Sequence, residues 1–337
     1  MVRCRLVYLK NRAGVSASSP RPRGAVITAL TANYGRLYQQ VSPRWQRVSR
    51  GGWDALFPRT RRAAASRGSP VCHPHSLSEP PGVADRVPQM AALPVIDFSA
   101  FTGPGSDADR AAVAAQTHKA FSEVGFCYAV GHGVPPALLA RVFAAAERLF
   151  ALPEAEKDRI AVERSPSRSR GFQRLGQNVT QGANDAHEGF DTMRELPRDH
   201  RLVAGEAAIH HADQNLWPEA EPDLRGVMDE YVDAMSAAGA AIMEAVAMGL
   251  GLAPKFFEKF YAEGFWIQRL ISYPEEPEPA AAAAGDAELE IGCGEHTDYG
   301  CLTMVVSDST PGCLQVRGTD GDCEKRLITT HLASSIG

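Results

Sequence analysis

The sequence predicts an α+β protein in which helices come first and strands follow, behind a long basic stretch of different composition. Three observations carry this reading. Apolar residues recur every three or four positions in stretches between Ser106 and Gly249; beyond Gly264 the rhythm becomes that of short β-branched and aromatic runs separated by turn residues; and the charge changes sign near Met90.

Taken in order, residues 1–90 hold 14 Arg and one Lys against three acids, a balance of +12, so the rest of a chain whose net charge is −5 carries −17. Segments such as RTRRAAASRGSP and HSLSEPPG lack sustained periodicity and offer little apolar surface to bury. Residues 1–89 are therefore expected to form a disordered basic extension. Three readings compete for it: sequence upstream of a start at Met90, an acid-poor organelle transit peptide, or a nucleic-acid-binding arm. The first is preferred because ordered sequence begins just after Met90. The last is least favoured, since the arginines are dispersed singly with no aromatic platform between them.

From Leu93, LPVIDFS reads as a short buried strand closed by the Gly/Pro turn at Gly103 to Gly105. Ser106 or Asp107 caps a helix whose inward positions are Val113, Thr117, Ala120, Phe121 and Val124. FCYAVGHG follows as strand and turn, with His132 read as a structural turn residue. Pro135 and Pro136 then open a helix lined by Leu138, Leu139, Val142, Phe143, Leu149 and Phe150. A polar loop is expected from Glu163 to Asn184, and a long helix from Glu221 to Gly249 with Leu224, Met228, Tyr231, Met235, Ile242 and Val246 buried. Its methionines read as core filling. PKFFEKFYAEG gives a short helix, and FWIQRLISYP, ELEIG, CLTMVVSD and GCLQVRG give strands, the first two separated by a surface loop, PEEPEPAAAAAGD.

The seven cysteines are odd in number, scattered and without a C-x-x-C pair, which argues against a disulfide framework and against structural zinc. No uninterrupted apolar run reaches the length of a membrane span. A soluble, cytoplasmic protein is expected, or an organellar one if residues 1–89 act as a transit peptide, with neither nucleic acid nor membrane as partner and with its oligomeric state open. P-loop, dinucleotide and G-x-S-x-G fingerprints are absent.

The sharpest chemical signal is GEHTDYGCLT. His296 and Asp298 sit two apart in a strand or at its end, so both side chains point to one face and can share a metal ion. An imidazole and a carboxylate offered from one face suit a non-haem iron(II) oxygenase, which binds its metal through two histidines and one carboxylate. By spacing alone this motif also fits a hydrogen-bonded surface histidine. Glu188 and Asp191 in HEGFD form a second carboxylate pair, read as fixing a loop or bordering a pocket mouth.

The ordered set LPVIDFS, SEVGFCYAVGHGVP, RGFQRLGQNVTQGANDAHEGFD, QRLISYP and GEHTDYGCLT, over about residues 93–321, resembles the iron(II) and 2-oxoglutarate dependent dioxygenases, in their isopenicillin N synthase-like branch. The resemblance implies a helical N-terminal cap followed by a double-stranded β-helix, or jelly roll, with His296 and Asp298 as iron ligands and Tyr273 lining the 2-oxoglutarate pocket. It implies a non-haem dioxygenase N-terminal domain over 90–220 and a jelly-roll domain over 221–322. The implied reaction oxidises a small organic substrate with O2 and releases succinate and CO2.

In the family a second histidine follows the aspartate by roughly fifty residues, and an R-x-S pair for the distal carboxylate of 2-oxoglutarate lies beyond it. Counted from Asp298, both fall past residue 337. The jelly roll is therefore expected to be incomplete, residues 323–337 to be a tail without family likeness, and His331 within it not to ligate iron. A second reading follows, of an inactive truncated fragment acting at most as a binding module.

Overall fold

Two short elements show how local chemistry sets the start of the folded region. Ser106 caps the helix α2 (Asp107–Glu123) through a complete capping box, its Oγ accepting from the Asp109 amide while the Asp109 carboxylate accepts from the Ser106 amide. Just before it, Asp97 Oδ1 accepts from both the amide and the hydroxyl of Ser99, and Gly131 lies against this turn at φ +61°. A Cβ at Gly131 would stand 2.1 Å from Asp97 Oδ1, so position and backbone angle both demand glycine.

The computed structural model describes residues 5–9, 26–33, 93–180, 182–197, 199, 213–262, 265–274, 291–296, 302–308, 314–317, 326–328 and 332–335. Residues 1–34 and 92–337 make one compact unit; the other, 35–91, lies outside the described residues. Helices α2, α3 (Pro136–Phe150), α5 (Leu224–Gly249) and α6 (Glu258–Tyr261) occupy the stretches where helices were expected, and the short α1 (Ser99–Thr102) and α4 (Glu154–Arg159) stand where none was. Helix α3 buries Leu138, Val142 and Leu149, and α5 buries Leu224, Met228, Tyr231, Met235 and Ile242, as their spacing predicts. By length and composition α5 is apolar enough to cross a membrane, yet half of that stretch is buried in the core. His132 acts within its turn, accepting from the Val134 amide.

Among the described residues, the largest sheet has eight strands in the order β3-β4-β14-β11-β2-β9-β8-β5. These are β3 (Val95–Asp97), β4 (Phe126–Val130), β14 (Leu332–Ser335), β11 (Leu302–Ser307), β2 (Val26–Asn33), β9 (Phe265–Ser272), β8 (Glu188–Met193) and β5 (Gly171–Gln173). A four-stranded sheet sets β1 (Arg5–Leu9) between β10 (Ile291–His296) and β12 (Leu314–Arg317), with β13 (Arg326–Ile328) at its edge. The hairpin β6–β7 (Val179–Thr180, Ala183–Asn184) stands apart. Helices α3 and α5 pack their apolar stripes against Phe172, Phe190, Leu270, Leu302, Met304 and Val306 of the larger sheet.

Two expectations need correction. The basic extension is not without order throughout: RLVYL and VITALTAN form β1 and β2, and β2 is paired along its whole length with β9 and over six residues with β11. A composition averaged over ninety residues hides two short runs rich in strand-forming residues, and pairing at both edges satisfies their backbone groups. Strands β13 and β14 lie beyond residue 322, the latter bridging β4 and β11. The stretch from Glu163 to Asn184, expected as loop, contains β5, β6 and β7, and β8 follows directly. The apolar pattern conceals β8 because Glu188, Asp191 and Thr192 put polar residues on both of its faces, so no alternation shows.

Candidate active site

Strand β9 runs through the middle of the large sheet, and the period-two rule divides it sharply. Leu270 and Gln268 turn to the helices, together with Phe190 and Thr192 directly opposite on β8; Phe190 and Leu270 belong to the main core, and Thr192 Oγ1 donates to Gln268 Oε1 at 2.7 Å. Arg269 and Ile271 turn the other way, with Gly189 and Asp191 opposite them. Tyr273, just past the strand, continues this second face.

On it, Arg269 forks onto Asp191, Nε to Oδ1 and Nη2 to Oδ2, both at 2.6 Å. Gln173 Nε2, from β5, donates to the same carboxylate at 2.7 Å. The Asp191 side chain is 3% exposed and that of Arg269 34%. The Asp191 charge outweighs the cost of burial and pushes the Arg269 guanidinium above its ordinary pKa, with Cys293 and Tyr273 close enough to add to the effect.

Beside this pair lies His187, 2% exposed, its ring edge-on to Tyr273 at 5.4 Å between centroids. One neutral tautomer satisfies both ring nitrogens, Nδ1 donating to the Gly292 carbonyl at 3.4 Å and Nε2 accepting from Asn178 Nδ2 at 3.1 Å. Burial, then the charge of Arg269, holds the imidazole below its usual pKa. The segment before β8 is strapped to β10: the Ala186 amide donates to the Gly292 carbonyl at 2.8 Å, the Gly294 amide to Asp185 Oδ1 at 3.3 Å, and Thr180 donates to Asp185 Oδ2 at 2.8 Å.

His296 closes β10 and is half-buried. Its Nδ1 lies 2.8 Å from the Gly294 carbonyl, an oxygen that only accepts, so the proton sits on Nδ1 and the lone pair on Nε2. That tautomer is the one a metal requires, and a backbone carbonyl on the far nitrogen is the usual way to fix it. The imidazole therefore fits iron(II). Cys293, buried and with a free thiol, lies with its Sγ 3.8 Å from the same Nδ1.

Of the residues singled out in the sequence, His296 and Tyr273 are thus placed, Tyr273 buried against His187; Asp298 and His331 lie outside the described residues. Among the described residues no group of three His, Cys, Asp or Glu side chains converges on a metal position. Glu188 and Asp191 part company: Glu188 pairs with the buried Lys157 at 3.1 Å, and Asp191 with Arg269. Sequence reasoning missed Arg269, His187 and Gln173. For Arg269 a signal existed, because in QRLISYP it shares the face of Tyr273, four positions on.

Comparison with known proteins extends these observations. Residues 93–220 match the family described as the non-haem dioxygenase in morphine synthesis N-terminal domain. Over 241 residues, 69% of this chain and 71% of the relative, the sequence is 36% identical to the homoarginine-6-hydroxylase 2-ODD-C23 of Glycine max. Over 239 residues, 68% and 69% respectively, it is 35% identical to the homoarginine-6-hydroxylase 2-ODD-C23.1 of Arabidopsis thaliana. The fold matches a full-length Neurospora crassa protein, crystallised with alpha-KG, with a TM-score of 0.58 and 27% identity over 73% of each chain.

Proposed function

Because the chain belongs to the iron(II) and 2-oxoglutarate dependent dioxygenases, we propose that its active centre forms at the end of β10, with His296 and Asp298 as iron ligands, 2-oxoglutarate against Tyr273, and a free amino acid as substrate. In this class of oxidoreductase, iron and 2-oxoglutarate supply the oxidising power: O2 is consumed, and succinate and CO2 leave as the small organic substrate is oxidised. The two sheets are read as walls of the double-stranded β-helix, a reading supported by the likeness to the Neurospora crassa protein.

The residues of the chain do the positioning. The Gly294 carbonyl fixes the His296 tautomer, so that Nε2, which bears the lone pair, would be the atom that holds iron. Asp298, two residues on in the sequence, would be the second ligand. His187 stays neutral and apposes Tyr273, giving the pocket an aromatic wall without a second positive charge beside Arg269. The long core helix and the apolar face of β8 and β9 keep water from the back of the site.

The observation that carries the reading is the Nδ1 contact of His296 in an H-x-D sequence. The amino-acid substrate is supported by the names of the relatives, homoarginine hydroxylases in two plants. The test is anaerobic titration of the full chain with iron(II) and 2-oxoglutarate, following the visible charge-transfer band of the chelate, and then O2 with L-homoarginine, following succinate and a product heavier by one oxygen. A band lost in His296→Ala supports the metal site. Its absence from folded wild-type protein overturns that site, and succinate formed without an oxygenated amino acid overturns the substrate.

A further inference from the structure

The face of β8 and β9 turned away from the helices holds a charge that the pairing of the strands does not need. Asp191 and Arg269 are already opposite each other in a register of six consecutive pairs, and backbone hydrogen bonding holds that register without them. Asp191 is saturated: it is buried and takes two donors from Arg269 and one from Gln173. Arg269 is not used up. Its Nε and Nη2 bind Asp191 side-on, which directs Nη1 and the outer hydrogen of Nη2 away from that carboxylate, and a third of its side chain is exposed. Beside it on this face, burial and the charge of Arg269 hold His187 in its neutral form.

We infer that Arg269, gripped from behind by Asp191 and Gln173, is a binding residue that receives the carboxylate of an organic acid beside Tyr273. A guanidinium fixed on one side presents a planar, pre-oriented pair of donors on the other, which is the geometry a carboxylate binds best. Fixing it beforehand also lowers the entropy lost when the ligand arrives. Lys157, a buried cation that pairs with Glu188 on the opposite face of β8, offers no such site, because its ammonium is shared between Glu154 and Glu188 and lies over the Phe172 ring.

The carboxylate has two sources, the amino-acid substrate and 2-oxoglutarate, and the inference, which rests on the functional reading above, is tested so that the two are separated. Calorimetric binding to the iron-loaded, anaerobic full chain is measured for 2-oxoglutarate, L-homoarginine and L-homoarginine amide, in the wild type, Arg269→Lys and Arg269→Met. Near-ultraviolet circular dichroism reports folding. The loss of a charge-assisted pair predicts that one of the two acids binds Arg269→Met roughly tenfold or more weakly. Arg269→Lys keeps the charge beside Asp191 but loses the fork, and the same acid is expected to weaken there too, which decides the matter should the Met variant not fold.

If L-homoarginine is the acid affected, its amide binds the wild type as weakly as the acid binds the variant. If 2-oxoglutarate is affected and L-homoarginine binds nothing, the carboxylate site stands and the proposed substrate falls. Unchanged affinity for both acids in a folded variant, or no binding of either acid to folded wild type, overturns the inference.

Discussion

The two faces of the β8–β9 ribbon share one backbone and obey different physics. Phe190 and Leu270, turned to the helices, are fully buried and owe their place to the removal of apolar surface from water. Asp191 and Arg269, one residue along on the same strands, are held by directed hydrogen bonds and opposite charge. The first face tolerates changes of shape poorly and has little chemistry to offer; the second contributes less to stability and carries the recognition. Substitutions on neighbouring positions therefore separate folding from binding.

The largest expected effect is on the apolar face. Phe190→Ala removes a fully buried ring packed with Trp217 and lowers stability by about 3–5 kcal/mol, read as a fall in the urea midpoint at unchanged slope. Ligand affinity, measured well below the unfolding transition, is expected to stay the same; a large loss would mean that the faces are coupled through the backbone. Asp191→Asn is next. It strands a partly exposed guanidinium, so the cost is about 2 kcal/mol, below the value for a fully buried broken pair. A cost as large as that of Phe190→Ala would erase the contrast.

The smallest effect is one of pH. His187 is neutral in the folded protein because burial, and then Arg269, depresses its pKa from 6.5. The unfolded chain takes up that proton more readily, so the contribution to stability is whole above pH 6.5 and is lost as the pH falls below it. Unfolding midpoints measured from pH 8 down to pH 5 are expected to drop further for wild type than for His187→Gln. Parallel curves would show that the ring is not held neutral on this face.

Much of the helical half was legible in the sequence because its signals are local. The Ser106 cap, the two prolines that open α3 and the buried positions of α5 need only neighbours three or four residues away. His296 and Tyr273, the site residues proposed here, were singled out through motif and family likeness. Strand β8 was not, since a strand with Asp191 on one face and Thr192 on the other shows no apolar alternation. The Arg269–Asp191 pair was out of reach for another reason: its members are 78 positions apart, and only the register between β8 and β9 brings them face to face. Strands β1 and β2 were lost in the average of an arginine-rich stretch.

The place of β2 also bears on how the molecule is made. Val26 pairs with Ser272 and Ile27 with Ser307, so a strand translated early waits for partners translated late. At ribosomal speeds of 5–20 residues per second the wait is roughly ten to fifty seconds. Throughout it, VITALTAN lacks both of the strands that pair with its edges in the folded sheet. Such contacts between distant parts of the sequence close slowly. Synthesis is thus the period in which β2 stands most exposed, and co-expression of chaperones that mask a naked strand is expected to raise the yield of folded protein.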